Sequence, residues 1–306
     1  MGFRQVLVKS AKRLSLKDNS IYIHPKNEEQ ETIHIPLEDI SIILIEDPYT
    51  VITTRLITEL SKYGIIMIFC DETFVPNTQT LPFNTHYSLL TILNKQLNWS
   101  KEFKSKVWQL IIKRKIINQL EVVGYTTNDE HTKNLLLSYY NEVKPYDSDN
   151  REGIASKVFF SSLYGSDFIR FSETSISHAL NYGYSVFNST LVRHLVSMGF
   201  NTYLGIWHNS ERNQFNLASD LIEPFRCIVD YYVYWNKDKI TTPLPFSIRK
   251  DLINLLSSPV MINKKQCTVD YAMEVVVKSL LNATKENDSS LLFLPKIMEM
   301  DMLNYD

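Results

Sequence analysis

Over the first 75 or so residues, apolar and polar positions alternate in short runs. RQVLVKS and RLSLKD keep a period of two, KDNS supplies turn chemistry before SIYIH, and ETIHIP follows, so each run predicts a half-buried strand. ISIILIED is almost unbroken in its apolar residues and reads as a strand buried on both faces. TVITTRLITELSKYG changes to helical spacing through Val51, Leu56, Ile57 and Leu60, with Gly64 where a left-handed glycine ends a helix. GIIMIFC then returns as a core strand. FVPNTQTLPF carries Pro76 and Pro82 and interrupts the pattern, which predicts a domain over 1–76 and a linker over 77–85.

From residue 86 to 306 the period becomes three to four. HYSLLTILNKQL, KEFKSKVWQLIIKRKIINQL and KNLLLSYYNEV read as helices, as do NLASDLIEPFRCIVDYYVYW and VDYAMEVVVKSLL. SISHALNYGYSVFNSTLVRHLVSM is a long helix whose inner stripe includes Leu180, Tyr184, Phe187 and Leu191, and Gly199 lies just beyond it. PVMINKKQCTV reads as a hairpin. The expected fold class is α+β, a β-rich N-terminal domain followed by an all-helical domain that carries the chemistry.

The chain has 306 residues, 44% of them hydrophobic and 22% charged. A chain of this length buries roughly three quarters of its extended surface, so its core needs no disulfide or metal staple. With 32 Lys and Arg against 34 Asp and Glu, the net charge of −2 excludes a globally basic nucleic-acid binder and leaves room for a local basic groove. No two glycines form a G-x-G loop and none precedes a lysine, so the familiar nucleotide cradles are absent. Cys70, Cys227 and Cys267 are odd in number and far apart, which points to a reduced compartment and against a clustered zinc site. Cys70, at the end of an apolar run, is expected to be buried. Apolar runs fall far short of the roughly 20 residues that cross a bilayer. The N-terminal residues carry no apolar signal core, so a cytoplasmic protein without a membrane role is expected.

Three segments hold candidate chemistry. In DSDNREG, Asp149 or Asn150 can cap a helix whose first turn contains Glu152, where the helix dipole favours a carboxylate by about 0.3–1 kcal/mol. In GIWHNSERNQFN, His208 sits in a loop. In NQFNLASDLIEPFR, Asp220 and Glu223 are spaced to share a helical face, while Pro224 biases Glu223 away from the α region and suggests a local break. Singly, these read as a cap, a hydrogen-bonded loop and a solvated face. Together, one histidine and two or three carboxylates suit a hard divalent cation with open positions, the chemistry of metal-dependent nucleases and transesterases.

NREG, HALNYGYSVF, GIWHN and NQFNLASDLIEPFR, in that order, closely resemble the CRISPR-associated adaptation integrases, the endonuclease-like proteins of spacer acquisition. The versions found beside type II effector nucleases look most similar, and the resemblance covers essentially the whole chain. It implies that Glu152, His208 and Glu223 are the catalytic metal ligands for Mg²⁺ or Mn²⁺. It makes Asp220 a candidate supporting ligand and places Asn181 and Tyr184 along the site from a neighbouring helix. Cys227 stands where relatives often have proline, and position 223 is Glu where some branches have Asp. The implied reaction is attack by the 3′-hydroxyl of a short foreign DNA on a phosphodiester at the leader–repeat border of a CRISPR array. The implied partners are double-stranded DNA (prespacer and leader–repeat), a second copy in a homodimer, and a small ferredoxin-like CRISPR-associated protein bridging two dimers into a heterohexamer. The type II effector nuclease is a further candidate partner, and the location implied is the prokaryotic cytoplasm. A stand-alone metal-dependent nuclease for branched or single-stranded DNA would use the same residues, and a non-catalytic helical scaffold would leave the polar clusters solvated.

KEFKSKVWQLIIKRKI adds a basic helix. At 100° per residue, Lys101, Lys104 and Lys115 fall on one edge and Lys106 and Lys113 on another, with Phe103, Val107, Leu110 and Ile117 packing between them. At least one edge is expected to contact DNA phosphates. Truncating Glu152, His208 or Glu223 is expected to leave the core intact, because none lies on an apolar stripe.

Overall fold

The alternating runs of the N-terminal segment form β1 (Arg4–Val8), β2 (Arg13–Lys17), β3 (Ser20–His24) and β4 (Ile33–Pro36). β5 (Ile40–Ile45), β6 (Val51–Ile52), α1 (Thr54–Lys62), β7 (Ile66–Cys70) and β8 (Pro76–Gln79) complete this part of the chain. The structure is a computed structural model that describes residues 2, 4–27, 29–82, 86–170 and 172–300. It divides into two units, Met1–Thr85 and His86–Asp306.

One four-stranded sheet of the first unit has the order β1–β5–β7–β8, with β1, β5 and β7 parallel and β8 antiparallel to β7. β5 lies between two parallel partners and is buried at every position, which is why its sequence does not alternate. The second sheet has the order β4–β3–β2–β6. Val6, Val8, Leu14, Ile21, Ile43 and Met67 form the core together with Leu56 and Leu60 of α1. Thr53 caps α1 by accepting the Leu56 N–H at 3.3 Å, and Gly64 takes the left-handed conformation with φ 69°. Val51, which the spacing assigns to the helix, pairs with Arg13 in β6 instead. Pro76 does not end the β unit. It opens the edge strand β8, where a missing N–H is tolerated, so residues 77–79 of the expected linker belong to a sheet. Residues 83–85 of that linker lie outside the described residues.

The second unit contains α2 (Leu89–Leu97), α3 (Lys101–Tyr125), α4 (Glu130–Glu142), α5 (Arg151–Tyr164) and α6 (Ser175–Ser197). α7 (Asn216–Leu221), α8 (Glu223–Asn236), α9 (Phe246–Asn254), β9 (Pro259–Ile262), β10 (Lys265–Thr268), α10 (Val269–Glu286) and β11 (Lys296–Ile297) follow. The hairpin expected from PVMINKKQCTV is β9–β10, and β11 adds a third strand, so the unit is helical with one small sheet. α6 is buried along most of its length and packs against α8, α9 and α10. It approaches α8 so closely that a Cβ on Gly183 would lie 2.5 Å from a Val229 methyl carbon.

α3 packs against α4, α5 and α8 through a broad face that includes Val107, Trp108, Ile111, Ile112, Ile116 and Val123. That face corrects the expected one, because Leu110 is 37% exposed while Lys115 is buried. Among the described residues, no helix is long and apolar enough to cross a membrane. None of the three cysteines is in a disulfide; Cys227 is buried, and Cys70, expected inside, is half-buried at the end of β7.

Candidate active site

Glu152 is presented by the first turn of α5. Before it, Tyr146, Asp147 and Asn150 all take left-handed backbone (φ 61°, 49° and 52°), a strained turn that carries Asp147 beneath the helix start. The Asp147 carboxylate accepts the N–H groups of Arg151 and Glu152, both at 2.9 Å. Asn150 caps the same turn by accepting the Gly153 N–H at 3.3 Å. A Cβ on Gly153 would stand 2.8 Å from the Asn150 side chain, so the glycine of NREG is what lets the cap close over the turn. One Glu152 carboxylate oxygen accepts the Ser156 hydroxyl at 3.0 Å.

His208 sits on the loop between α6 and α7, wrapped around a single buried carboxylate. Asp220 is fully buried and accepts the N–H groups of Ile206 (2.5 Å), Trp207 (3.2 Å) and His208 (3.0 Å). It also bonds His208 Nδ1 at 2.8 Å. A histidine that donates Nδ1–H to a carboxylate leaves Nε2 as its free acceptor, and the partner fixes the ring's orientation. The same bond raises the imidazole pKa, against burial, which lowers it. Gly205 makes the wrap possible, since a Cβ there would meet the His208 carbonyl oxygen at 2.2 Å and Asp220 at 2.9 Å. Asn216 braces the loop, donating to the carbonyls of Tyr203 (3.1 Å) and Ser210 (3.0 Å). Trp108 stands edge-on to His208 with centroids 5.8 Å apart, and Trp207 stacks on Trp108 at 5.6 Å.

Glu223 opens α8, and Pro224 next to it occupies the first turn, where no N–H is needed. The expected break is present: α7 ends at Leu221, so Asp220 and Glu223 belong to different helices and do not share a face. Glu223 bonds Arg226 Nε at 3.0 Å and Lys115 Nζ at 2.5 Å. Burial would raise the pKa of this carboxyl, but Arg226 and Lys115 outweigh it and hold the group down at about 2. The Lys115 ammonium also bonds Glu152. Burial alone would depress the lysine pKa, and the two carboxylates raise it instead.

Glu152, His208 and Glu223 line one cavity of about 550 Å³ together with Lys115, Gln119, Lys157, Arg170, Tyr184, Arg226 and Asp230. Tyr184 donates its hydroxyl to Asp230, whose pKa burial pushes up to about 6. The guanidinium groups of Arg226 and Arg170 lie 4.5 and 5.0 Å from the centre of the Tyr184 ring. Beside the three acids, the lining carries one imidazole and four basic side chains, a set suited to a polyanion. A hard divalent cation fits the donor chemistry, since Glu152 and Glu223 already share one positive charge and His208 brings a ring nitrogen to the same lining. Among the described residues, however, no three His, Cys, Asp or Glu side chains are grouped to hold a metal ion, and the Lys115 ammonium bonds both glutamates.

The structure brings Glu152, His208, Glu223 and Tyr184, all singled out in the sequence, to the lining of one cavity. Asn181 does not line it; exposed on α6, it accepts an Arg170 N–H at 2.9 Å. Asp220, named as a candidate supporting ligand, is fully buried and braces the His208 loop. Lys115 is corrected from a solvent-facing edge to the centre of the site, while Lys101 is exposed and Lys104 partly so at the start of α3. Arg226, Asp230 and Arg170 in the lining, and Asp147 beneath the Glu152 turn, are positions that the sequence patterns miss. Arg226 and Asp230, three and seven residues beyond Glu223 on α8, leave a signal in spacing.

The model of the family described as CRISPR associated protein Cas1 matches residues 6–161 and 170–259. The CRISPR-associated endonuclease Cas1 of Neisseria meningitidis serogroup C (strain 8013) is 34% identical over 308 residues, covering 100% of both chains. Two solved structures share the fold. A casposase bound to integration product superposes with a TM-score of 0.75 at 19% identity, covering 94% of this chain and 93% of the other. A chain of a Cas6-RT-Cas1–Cas2 complex gives 0.74 at 20% identity, covering 97% of this chain and 36% of that one.

Proposed function

Because the chain belongs to the CRISPR-associated Cas1 family, we propose that it is a spacer integrase and DNA endonuclease that works with a divalent cation. The observation that carries this reading is the convergence of Glu152, His208 and Glu223 on one cavity walled by Lys157, Arg170 and Arg226. Glu152 and Glu223 with His208 Nε2 would hold Mg²⁺ or Mn²⁺, which when bound supplies charge stabilisation at the phosphoryl oxygens.

The chain's own residues do the rest. Asp220 fixes the His208 ring through Nδ1, which leaves Nε2 as the nitrogen available to the ion. Arg226 and Arg170, stacked against Tyr184, present fixed positive charge to the DNA backbone and orient the phosphodiester. The 3′-hydroxyl oxygen of the incoming strand bonds to phosphorus as the bond to the resident 3′-oxygen breaks. One phosphodiester replaces another, and the proton lost by the attacking hydroxyl is balanced by the one the leaving oxygen gains. No external energy source is needed.

The association of a Cas1 chain with Cas2 in the similar complex supports a like partnership here; homodimers bridged by the small ferredoxin-like protein are the arrangement we propose for it. The test is joining of an end-labelled 3′-hydroxyl DNA to a supercoiled plasmid carrying the repeat array, with Mn²⁺ or Mg²⁺ and the small partner present. Labelled, relaxed plasmid is the expected product. Cleavage of the labelled DNA without joining would favour the stand-alone nuclease instead.

A further inference from the structure

The ion at the centre of this site is one the chain brings itself. Among the lysines of the basic helix segment, Lys115 has its ammonium taken out of solvent, with a side chain 8% exposed. Its partners come from two other helices, Glu152 on α5 and Glu223 on α8. Without a cation, two carboxylates that reach the same nitrogen would repel across a poorly hydrated gap. One turn along α3, on the same face, Gln119 also lines the cavity and is 1% exposed. Its amide nitrogen donates to Ser156 at 3.3 Å, and Ser156 in turn donates to Glu152 at 3.0 Å. Its Oε1 is a buried acceptor with no partner among the described residues. A buried amide oxygen left unpaired costs free energy unless another state of the protein uses it.

We infer that Lys115 is an internal counter-cation that holds Glu152 and Glu223 together until a divalent cation displaces it, and that Gln119 Oε1 receives the displaced ammonium. The inference rests on the metal-dependent reading above and adds to it a positioning residue and its second resting place. Lys115 and the metal ion exclude each other from the carboxylate pair. The acidic ligands are therefore already gathered before the ion arrives, at the cost of a weaker apparent affinity. Helical side chains lean toward the N-terminal turn, which brings Gln119 toward Lys115.

The test is calorimetric titration of Mn²⁺ alone into the DNA-free full chain, for wild type, Lys115→Met, Gln119→Leu and the double variant. Relieved of competition from a buried ion pair, Lys115→Met should bind Mn²⁺ at least about tenfold more tightly. It should also melt below wild type in EDTA and recover in Mn²⁺. Gln119→Leu should weaken Mn²⁺ binding in the wild-type background and have no effect when Lys115 is already Met, a coupling that a merely structural glutamine would not produce. Equal Mn²⁺ affinity in wild type and Lys115→Met overturns the inference and leaves the metal reading standing. If Lys115→Met does not fold, unchanged affinity in Gln119→Leu overturns it. No Mn²⁺ binding by any of the four proteins overturns the metal reading, and this inference with it.

Discussion

Replacing Asp220 by Asn keeps its shape and removes the one property the His208 loop depends on. Both carboxylate oxygens act only as acceptors: one takes His208 N–H and Nδ1, the other takes Ile206 N–H, and Trp207 N–H is shared between them. An amide must turn its NH₂ toward one of these sets. If it faces His208, Nδ1 has to become an acceptor, the ring proton moves to Nε2, and the nitrogen offered to the cavity is lost. If it faces Ile206, donor meets donor at a fully buried position. Each buried donor left without an acceptor costs about 1–3 kcal/mol, so one or two such losses sum to about 1–6 kcal/mol. At about 2–4 °C per kcal/mol for a domain of this size, the melting temperature should fall by roughly 2–24 °C. Where an outer partner of a metal-binding histidine is removed, affinity or activity drops about 10–100-fold, and the strand-transfer rate at limiting Mn²⁺ should fall by that range. Thermal melts and a Mn²⁺ titration of the joining reaction measure the two effects. Wild-type melting with wild-type Mn²⁺ dependence in Asp220→Asn would refute the assignment of Asp220 as the support of His208.

Glu152→Ala, His208→Ala and Glu223→Ala should each abolish joining, but their stabilities should differ. His208 is 39% exposed in its side chain and its removal should cost little, whereas Glu223→Ala breaks buried pairs with Lys115 and Arg226 and should cost about 3–5 kcal/mol in chemical denaturation. Asp270, whose carboxyl burial would raise, is held down to about 2 by His194 and Arg193. A lowered carboxyl pKa stabilises the fold above the unfolded value near 4, and that contribution, about 2–3 kcal/mol, is lost as pH falls toward 2. The stability difference between wild type and Asp270→Asn should therefore shrink between pH 5 and pH 2; a constant difference would contradict the assignment. With Lys115 inside, the basic edge of α3 reduces to Lys101 and Lys104, and replacing both by Gln should flatten the salt dependence of DNA binding by about 0.9 for each phosphate no longer neutralised. An unchanged slope would move the DNA path elsewhere.

Much of the fold is legible in the sequence because burial follows period. β5 has no alternation since both its faces are covered, and Gly64 ends α1 where the spacing ends. The motif glycines also carry physical meaning, Gly153 beside the Asn150 cap and Gly205 beneath the Asp220 wrap, though only the structure shows what each avoids. Lys115 is misplaced when residue type is allowed to outweigh period. Ile111, Ile112, Lys115, Ile116 and Gln119 lie on one arc, and the period alone puts the lysine inside. The acids that allow its burial lie 37 and 108 residues away in sequence, so no local signal announces them. Asp220 and Glu223 have the spacing of one face; the helix break at Ile222 separates them, turning one toward the loop and the other toward the cavity. Pro76 has the look of a breaker, yet an edge strand accepts it.

The proposed function requires that Glu152, His208 and Glu223 form a single divalent-cation site. Anomalous diffraction at the manganese edge, from crystals soaked in Mn²⁺, tests it directly. The expected result is a peak in the cavity within about 2.5 Å of an oxygen of each glutamate and of His208 Nε2. Lys115 Nζ should be withdrawn from the pair. A peak that misses these three side chains, or none at saturating Mn²⁺ with Lys115 still bridging Glu152 and Glu223, would contradict it.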